Sequence, residues 1–84
     1  MMIEETWSIS GERITEFLLA QDDVRLVGDS CFSFRQCKIY LKVLPQRVVG
    51  SLGFPQTQIT FYGSEQDTEV IYRRFVFQFI SAGA

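Results

Sequence analysis

The segment Ser64-Glu65-Gln66-Asp67 constrains this chain more than any other, because it opens an aromatic-rich run, Val70 to Ile80, that closes on Ser81-Ala82-Gly83. A serine followed three residues later by an acid is a capping-box pattern: the hydroxyl accepts from an early free N–H while the acid reaches back. Gly83 stands where a left-handed residue would end a helix. Read as a helix from about Glu65 to Ser81, the tail gathers Ile71, Tyr72, Phe75, Val76, Phe79 and Ile80 on one broad face. Arg73, Arg74 and Gln78 fall opposite, and Glu69 and Arg73 form a favourably ordered i, i+4 pair. That reading leaves Val70 and Phe77 on the polar side. Read as a strand, the tail points Ile71, Phe75, Phe77 and Phe79 inward, spoiled only by Arg73. Periodicity does not arbitrate; the cap, the acidic first turn and the terminal glycine select the helix.

Upstream, Ile3, Glu5, Trp7 and Ile9 alternate with Glu4, Thr6 and Ser8, a short strand with Trp7 and Ile9 inward. Ser10 is placed as an N-cap, with Glu12 in the first turn of a helix that buries Ile14, Phe17 and Leu18 and ends near Asp22-Asp23. Val24 to Val27 reads as a second strand and Gly28-Asp29-Ser30 as a turn. The next stretch changes phase. Phe32 and Phe34 share one side of an extended chain, but Cys37, Ile39, Leu41 and Val43 take the other parity, so a bulge or bend at Arg35-Gln36 is expected. Pro45 is expected to end that strand, with Arg47 to Val49 a short addition and Gly50 to Pro55 a loop. Gln56 to Tyr62 alternates again, Thr57, Ile59 and Phe61 inward, and Gly63 breaks it. The expected core includes Ile39, Leu41, Ile59 and Phe61, with Lys38, Tyr40, Lys42, Gln58 and Thr60 pointing away.

The sum is an α+β domain over residues 1–84: a two-layer β-α-β-β-β-α order, a small antiparallel-rich sheet with two helices packed on one face. The order of the last five elements is similar to the double-stranded-RNA-binding fold. That family's basic helix motif and histidine-bearing loop are absent here, so the likeness is one of element order and implies no function.

Several function classes are disfavoured. With no histidine, the chain lacks the commonest general base and zinc ligand. No constellation of active-site groups stands in its place, so no enzyme and no cofactor are expected. Gly50-Ser51-Leu52-Gly53 has the outline of a backbone clamp, but no basic residue lies between its glycines and no Gly-Lys-Ser/Thr follows. Asp22-Asp23 and Glu4-Glu5 are adjacent acids of the kind found at turns and helix ends, with no further metal ligands beside them. Cys31 and Cys37 lie about 20 Å apart if the chain between them is extended, too far for a disulfide unless a turn intervenes, so reduced thiols are expected. The longest apolar run, Phe17 to Ala20, is far short of a bilayer span, and the acidic start lacks the features of a secretory signal. No membrane role and a cytoplasmic location follow as expectations.

Lys38, Tyr40 and Lys42 would stand in a row on the outer face of one strand, with Gln58, Thr60 and Tyr62 beside them if the two strands pair. Lys38, Tyr40, Lys42, Thr60 and Tyr62 are therefore the candidate binding residues. Eight Phe, Trp7 and three Tyr exceed what two helices on one sheet hide, and surplus aromatics are typical interface anchors. The reading is a small interaction module, self-associating as a homodimer or serving as an accessory subunit, through its open sheet face and aromatic tail. The alternative is a single-stranded nucleic-acid binder using Lys38, Tyr40 and Lys42, with Arg35 nearby. A net charge of −2 weighs against nucleic acid as a partner.

Overall fold

The computed structural model describes residues 1–82. In chain order its elements are β1 (Met2–Trp7), α1 (Gly11–Leu19), β2 (Val24–Gly28), β3 (Cys31–Phe34), β4 (Cys37–Val49), β5 (Leu52–Gly63) and α2 (Glu65–Ala82). The strands form one sheet in the order β1-β5-β4-β3-β2, every neighbouring pair antiparallel. The α+β class expected from the sequence holds, with one strand more.

The extra strand comes from the phase change. Arg35 and Gln36 do not form a bulge inside a single strand; they are the two loop residues of a hairpin in which Phe34 pairs with Cys37. Reversing the chain there lets Phe32 and Phe34, on one parity, share the buried face with Cys37 and Ile39 on the other. Two-residue hairpins need a residue with positive φ to match the twist of their strands. Arg35 supplies it at 51°, Ser30 at 56° between β2 and β3, and Gly50 at 63° between β4 and β5. The tight turn forms without a disulfide: Cys31 faces Tyr40 across the ladder and both thiols are free. Four strands rather than three now separate the helices, so the likeness of element order to the double-stranded-RNA-binding fold does not hold.

Pro45 does not end β4. The strand continues to Val49 with a register shift between Leu44 and Arg47, a bulge that absorbs the proline. The stretch from Gly50 to Pro55, expected as a loop, instead supplies the turn and the start of β5. The result is a two-stranded arm, with Val48 and Leu52 exposed, standing beyond the ends of β1 and β3. Each strand of the arm carries one proline, Pro45 or Pro55, which removes an N–H from a ribbon with no further strand on either side.

Both helices cover the same face. Ile14 and Leu18 of α1 and Ile71, Phe75 and Phe79 of α2 join Val24, Phe32, Phe34, Cys37, Ile39, Ile59 and Phe61 in one buried cluster. Ser10 caps α1, its hydroxyl accepting from Arg13 N–H at 3.2 Å. Phe75 is the hub of the layer interface, in edge contact with Trp7 at 4.9 Å, Phe61 at 5.7 Å and Phe17 at 6.2 Å between ring centres. Aromatic pairs in this arrangement add about 0.5–1.5 kcal/mol each beyond the area they bury. Ile39, Ile59 and Phe61 are fully buried as expected, whereas Leu41 is only half-buried, because it lies where β4 leaves β3 behind. Ile80, expected on the buried face of α2, is exposed; of the apolar residues of the helix, Ile71, Phe75 and Phe79 are the ones buried against the sheet. Gly83, read as the helix terminator, lies outside the described residues.

Candidate functional site

The sheet has one uncovered face, and its register fixes what stands there. Cross-strand partners share a face, so each row of the ladder can be read directly. Arg25 is opposite Ser33, Ser33 opposite Lys38, Lys38 opposite Tyr62 and Tyr62 opposite Met2. The next row is Cys31, Tyr40, Thr60 and Glu4, and the third is Lys42, Gln58 and Thr6. Beyond the bulge Arg47 pairs with Phe54, and Phe54 shares the parity of Gln58, Thr60 and Tyr62 on β5, so both rejoin this face. All five residues singled out in the sequence, Lys38, Tyr40, Lys42, Thr60 and Tyr62, thus come together on neighbouring strands. Thr60 is engaged within the face, its hydroxyl donating to the Glu4 carboxylate at 3.3 Å.

The charges of the chain are sorted between its two layers. Arg35 reaches Asp23 at 3.3 Å and Asp67 at 3.8 Å, Arg74 reaches Asp23 at 3.1 Å, and Arg73 reaches Glu69 at 3.9 Å. Asp23 is held below the usual carboxylate range: burial acts to raise it, and the hydrogen bond from Arg74, its own backbone and the positive charges of Arg74 and Arg35 outweigh that. The Arg35 guanidinium also lies over the Phe34 ring at 4.7 Å. Arg35 is therefore a latch for its own turn and not a member of the open face. Arg73 and Arg74 likewise serve the helix layer.

Among the described residues, the cations in no ion pair and no ring contact are Arg25, Lys38, Lys42 and Arg47. All four occupy open-face positions and all are exposed. Glu4 is the one acid at such a position in the described strands. Tyr40 and Tyr62, 47% and 58% exposed, stand among these cations. Arg25 was legible in principle, since it alternates with Val24 and Leu26. Arg47 and Phe54 were hidden behind a strand end wrongly placed at Pro45.

A second uncovered surface lies on the solvent side of α2. Phe77 and Ile80 are 74% and 59% exposed and, with Tyr72, Arg73 and Val76, line a groove of about 300 Å³. Met1, Ile3, Glu69, Tyr72 and Arg73 line a further groove of about 230 Å³, and the shared Tyr72 and Arg73 join the two along the flank of β1. Tyr72, common to both grooves, is held by Glu5, whose carboxylate accepts from Tyr72 OH at 2.8 Å and from Trp7 Nε1 at 3.0 Å. Burial and the bond to Glu5 push the Tyr72 phenol up from its ordinary value, so it stays protonated and donates.

Among the described residues no cluster of metal-ligating side chains occurs. No described helix is long and apolar enough to cross a membrane. No protein-family model matches the chain, and no curated protein matches it closely enough to name a relative.

Proposed function

We propose that this protein is a non-catalytic interaction module that self-associates through the solvent side of α2. The observation that carries the reading is the exposure of Phe77 and Ile80 beside an apolar groove. A phenylalanine three-quarters exposed on a regular helix contributes nothing to its own core, and exposed aromatic anchors next to a fitting recess are the usual energetic centre of a protein contact.

Sign decides between the two uncovered surfaces. In a twofold contact each patch meets itself. The sheet face would then oppose Arg25, Lys38, Lys42 and Arg47 to their own copies. On the α2 side Glu69 and Arg73 are already paired with each other at 3.9 Å, so two copies meet with far less like charge than two sheet faces would. The flank of β1, with Met1 and Ile3, extends the apolar area toward the roughly 800 Å² per partner that a stable contact buries.

Molar mass measured by light scattering over a range of concentrations tests this reading. The expected result is a monomer–dimer equilibrium that Phe77→Asp shifts to monomer while the melting temperature at low concentration stays unchanged. A wild-type mass that remains monomeric at the highest concentration overturns it, as does a dimer indifferent to Phe77→Asp.

A further inference from the structure

We propose that the open face of the sheet is a binding site for single-stranded nucleic acid, with β4 as its track. This goes beyond self-association and uses the opposite layer of the molecule. The net charge of −2 is an average that conceals the sorting of charge between layers. Acids balance the cations of the helix layer, whereas the cations of the sheet face have no acidic partners among the described residues.

The face has the two components that recognition of an unpaired strand needs, cations for phosphates and flat rings for bases. Along β4 the open-face residues are Lys38, Tyr40, Lys42, Leu44 and, past the bulge, Arg47, so positive charge and apolar or aromatic surface alternate. Lys38 and Lys42 are about 13 Å apart at the rise of a strand. Tyr62 sits opposite Lys38 and Tyr40 opposite Thr60, which makes the two tyrosines diagonal neighbours about 7–8 Å apart. Each ring can take one base, and Lys38, opposite Tyr62 and two residues before Tyr40, stands beside both to meet the intervening phosphate. Arg25, two strands away in the same row as Lys38, widens the positive field on the β2 side.

Pairing with another sheet face of this chain is opposed by like charge, and a purely acidic protein surface gives the exposed tyrosine rings nothing flat to stack on. A polyanion with stacking bases satisfies both. An A-form duplex offers no unstacked bases to the rings, so single strands are the favoured ligand.

The test is fluorescence anisotropy of a short labelled oligothymidylate titrated with the full chain. Four phosphate contacts give a logarithmic salt slope near −0.7 per contact, so affinity is expected to fall roughly fiftyfold between about 50 and 200 mM salt. Lys38→Gln and Lys42→Gln should each flatten that slope by about 0.7, one contact's share. Tyr40→Ala and Tyr62→Ala should each weaken binding by about fivefold or more without altering the slope. Arg13→Gln, an exposed cation of α1 on the helix layer, should leave both affinity and slope unchanged. No binding at low salt overturns the proposal. So does equal loss with Arg13→Gln, or competition by polyglutamate as effective as by unlabelled oligothymidylate, since a face that reads charge alone has no use for bases. Self-association is distinguished from this binding by its own readout, molar mass without ligand, and by its own variant, Phe77→Asp on α2.

Discussion

Asp67, in the first turn of α2, accepts a hydrogen bond from the backbone N–H of Gln36, 31 positions earlier, at 3.1 Å. The capping box written in the sequence is thus half diverted. Ser64 Oγ accepts from Asp67 N–H at 3.3 Å as the pattern requires, but the acid holds the β3–β4 turn instead of returning to its own helix. Ser64 N–H completes the junction by donating to the Gln36 carbonyl at 3.0 Å. Asp67→Ala is therefore expected to cost about 1–2 kcal/mol, more than loss of an ordinary surface acid. Denaturant midpoints for Asp67→Ala and Glu65→Ala, compared side by side, check this.

Gly63 belongs to the same junction. A Cβ there would run into the Gln36 carbonyl oxygen and come within 2.7 Å of Cys37 Cα, both backbone atoms that cannot swing aside. Gly63→Ala is expected to be strongly destabilising, by the overpacking range of about 1–3 kcal/mol. Gly50→Ala, with open space around it, loses only the ease of its positive φ. Thermal unfolding of the two variants should rank them in that order.

Phe75 and Phe77 are two positions apart with opposite fates, fully buried and 74% exposed. Phe75→Ala is expected to cost about 3–5 kcal/mol, and Phe77→Ala to stay within about 0.5 kcal/mol in dilute solution. Chemical denaturation well below the association concentration separates them.

Acid should loosen the molecule at one identifiable place. Asp23 has a folded-state pKa below the ordinary aspartate value, so its contribution is present above that ordinary value and is lost as pH falls through the lower folded pKa. Protonation breaks the ion pairs of Asp23 with Arg74 and Arg35, leaving Arg35 its contact with Asp67, and Asp23→Asn should remove this part of the low-pH transition. A titration of stability from neutral to strongly acidic pH for both proteins reads it out.

The two thiols should differ in reactivity. Burial pushes Cys37 above its ordinary value, and Cys31 is only partly buried. Alkylation under non-reducing conditions should modify both, Cys31 first. Mass spectrometry finding a Cys31–Cys37 bridge contradicts the register, which sets Cys37 opposite Phe34.

Much of this architecture is written locally. Ser10 and Ser64 mark both helix starts, and the alternation from Cys37 to Val43 and from Gln56 to Tyr62 gives the faces of the central strands. That is why the five candidate residues fall on one surface. The misreadings share a cause: a local signal overridden by pairing. Arg35 adopts positive φ, at a cost of about 1–2 kcal/mol for a residue with a Cβ, because Asp23, Asp67 and the Phe34 ring hold it there. Pro45 is carried through β4 because β3 has already ended, leaving no neighbour to need its missing N–H. Charge sorting is the least legible property, since composition sums over layers that only the fold separates.

If the two uncovered faces divide their work as proposed, α2 serves contact between copies and the sheet face remains free in the unliganded protein. An amide NMR dilution series separates the two faces. Concentration-dependent shifts are expected at Tyr72, Arg73, Val76, Phe77 and Ile80, with Lys38, Tyr40, Lys42, Thr60 and Tyr62 unmoved. Shifts confined to the second set, or none at any concentration, would contradict it.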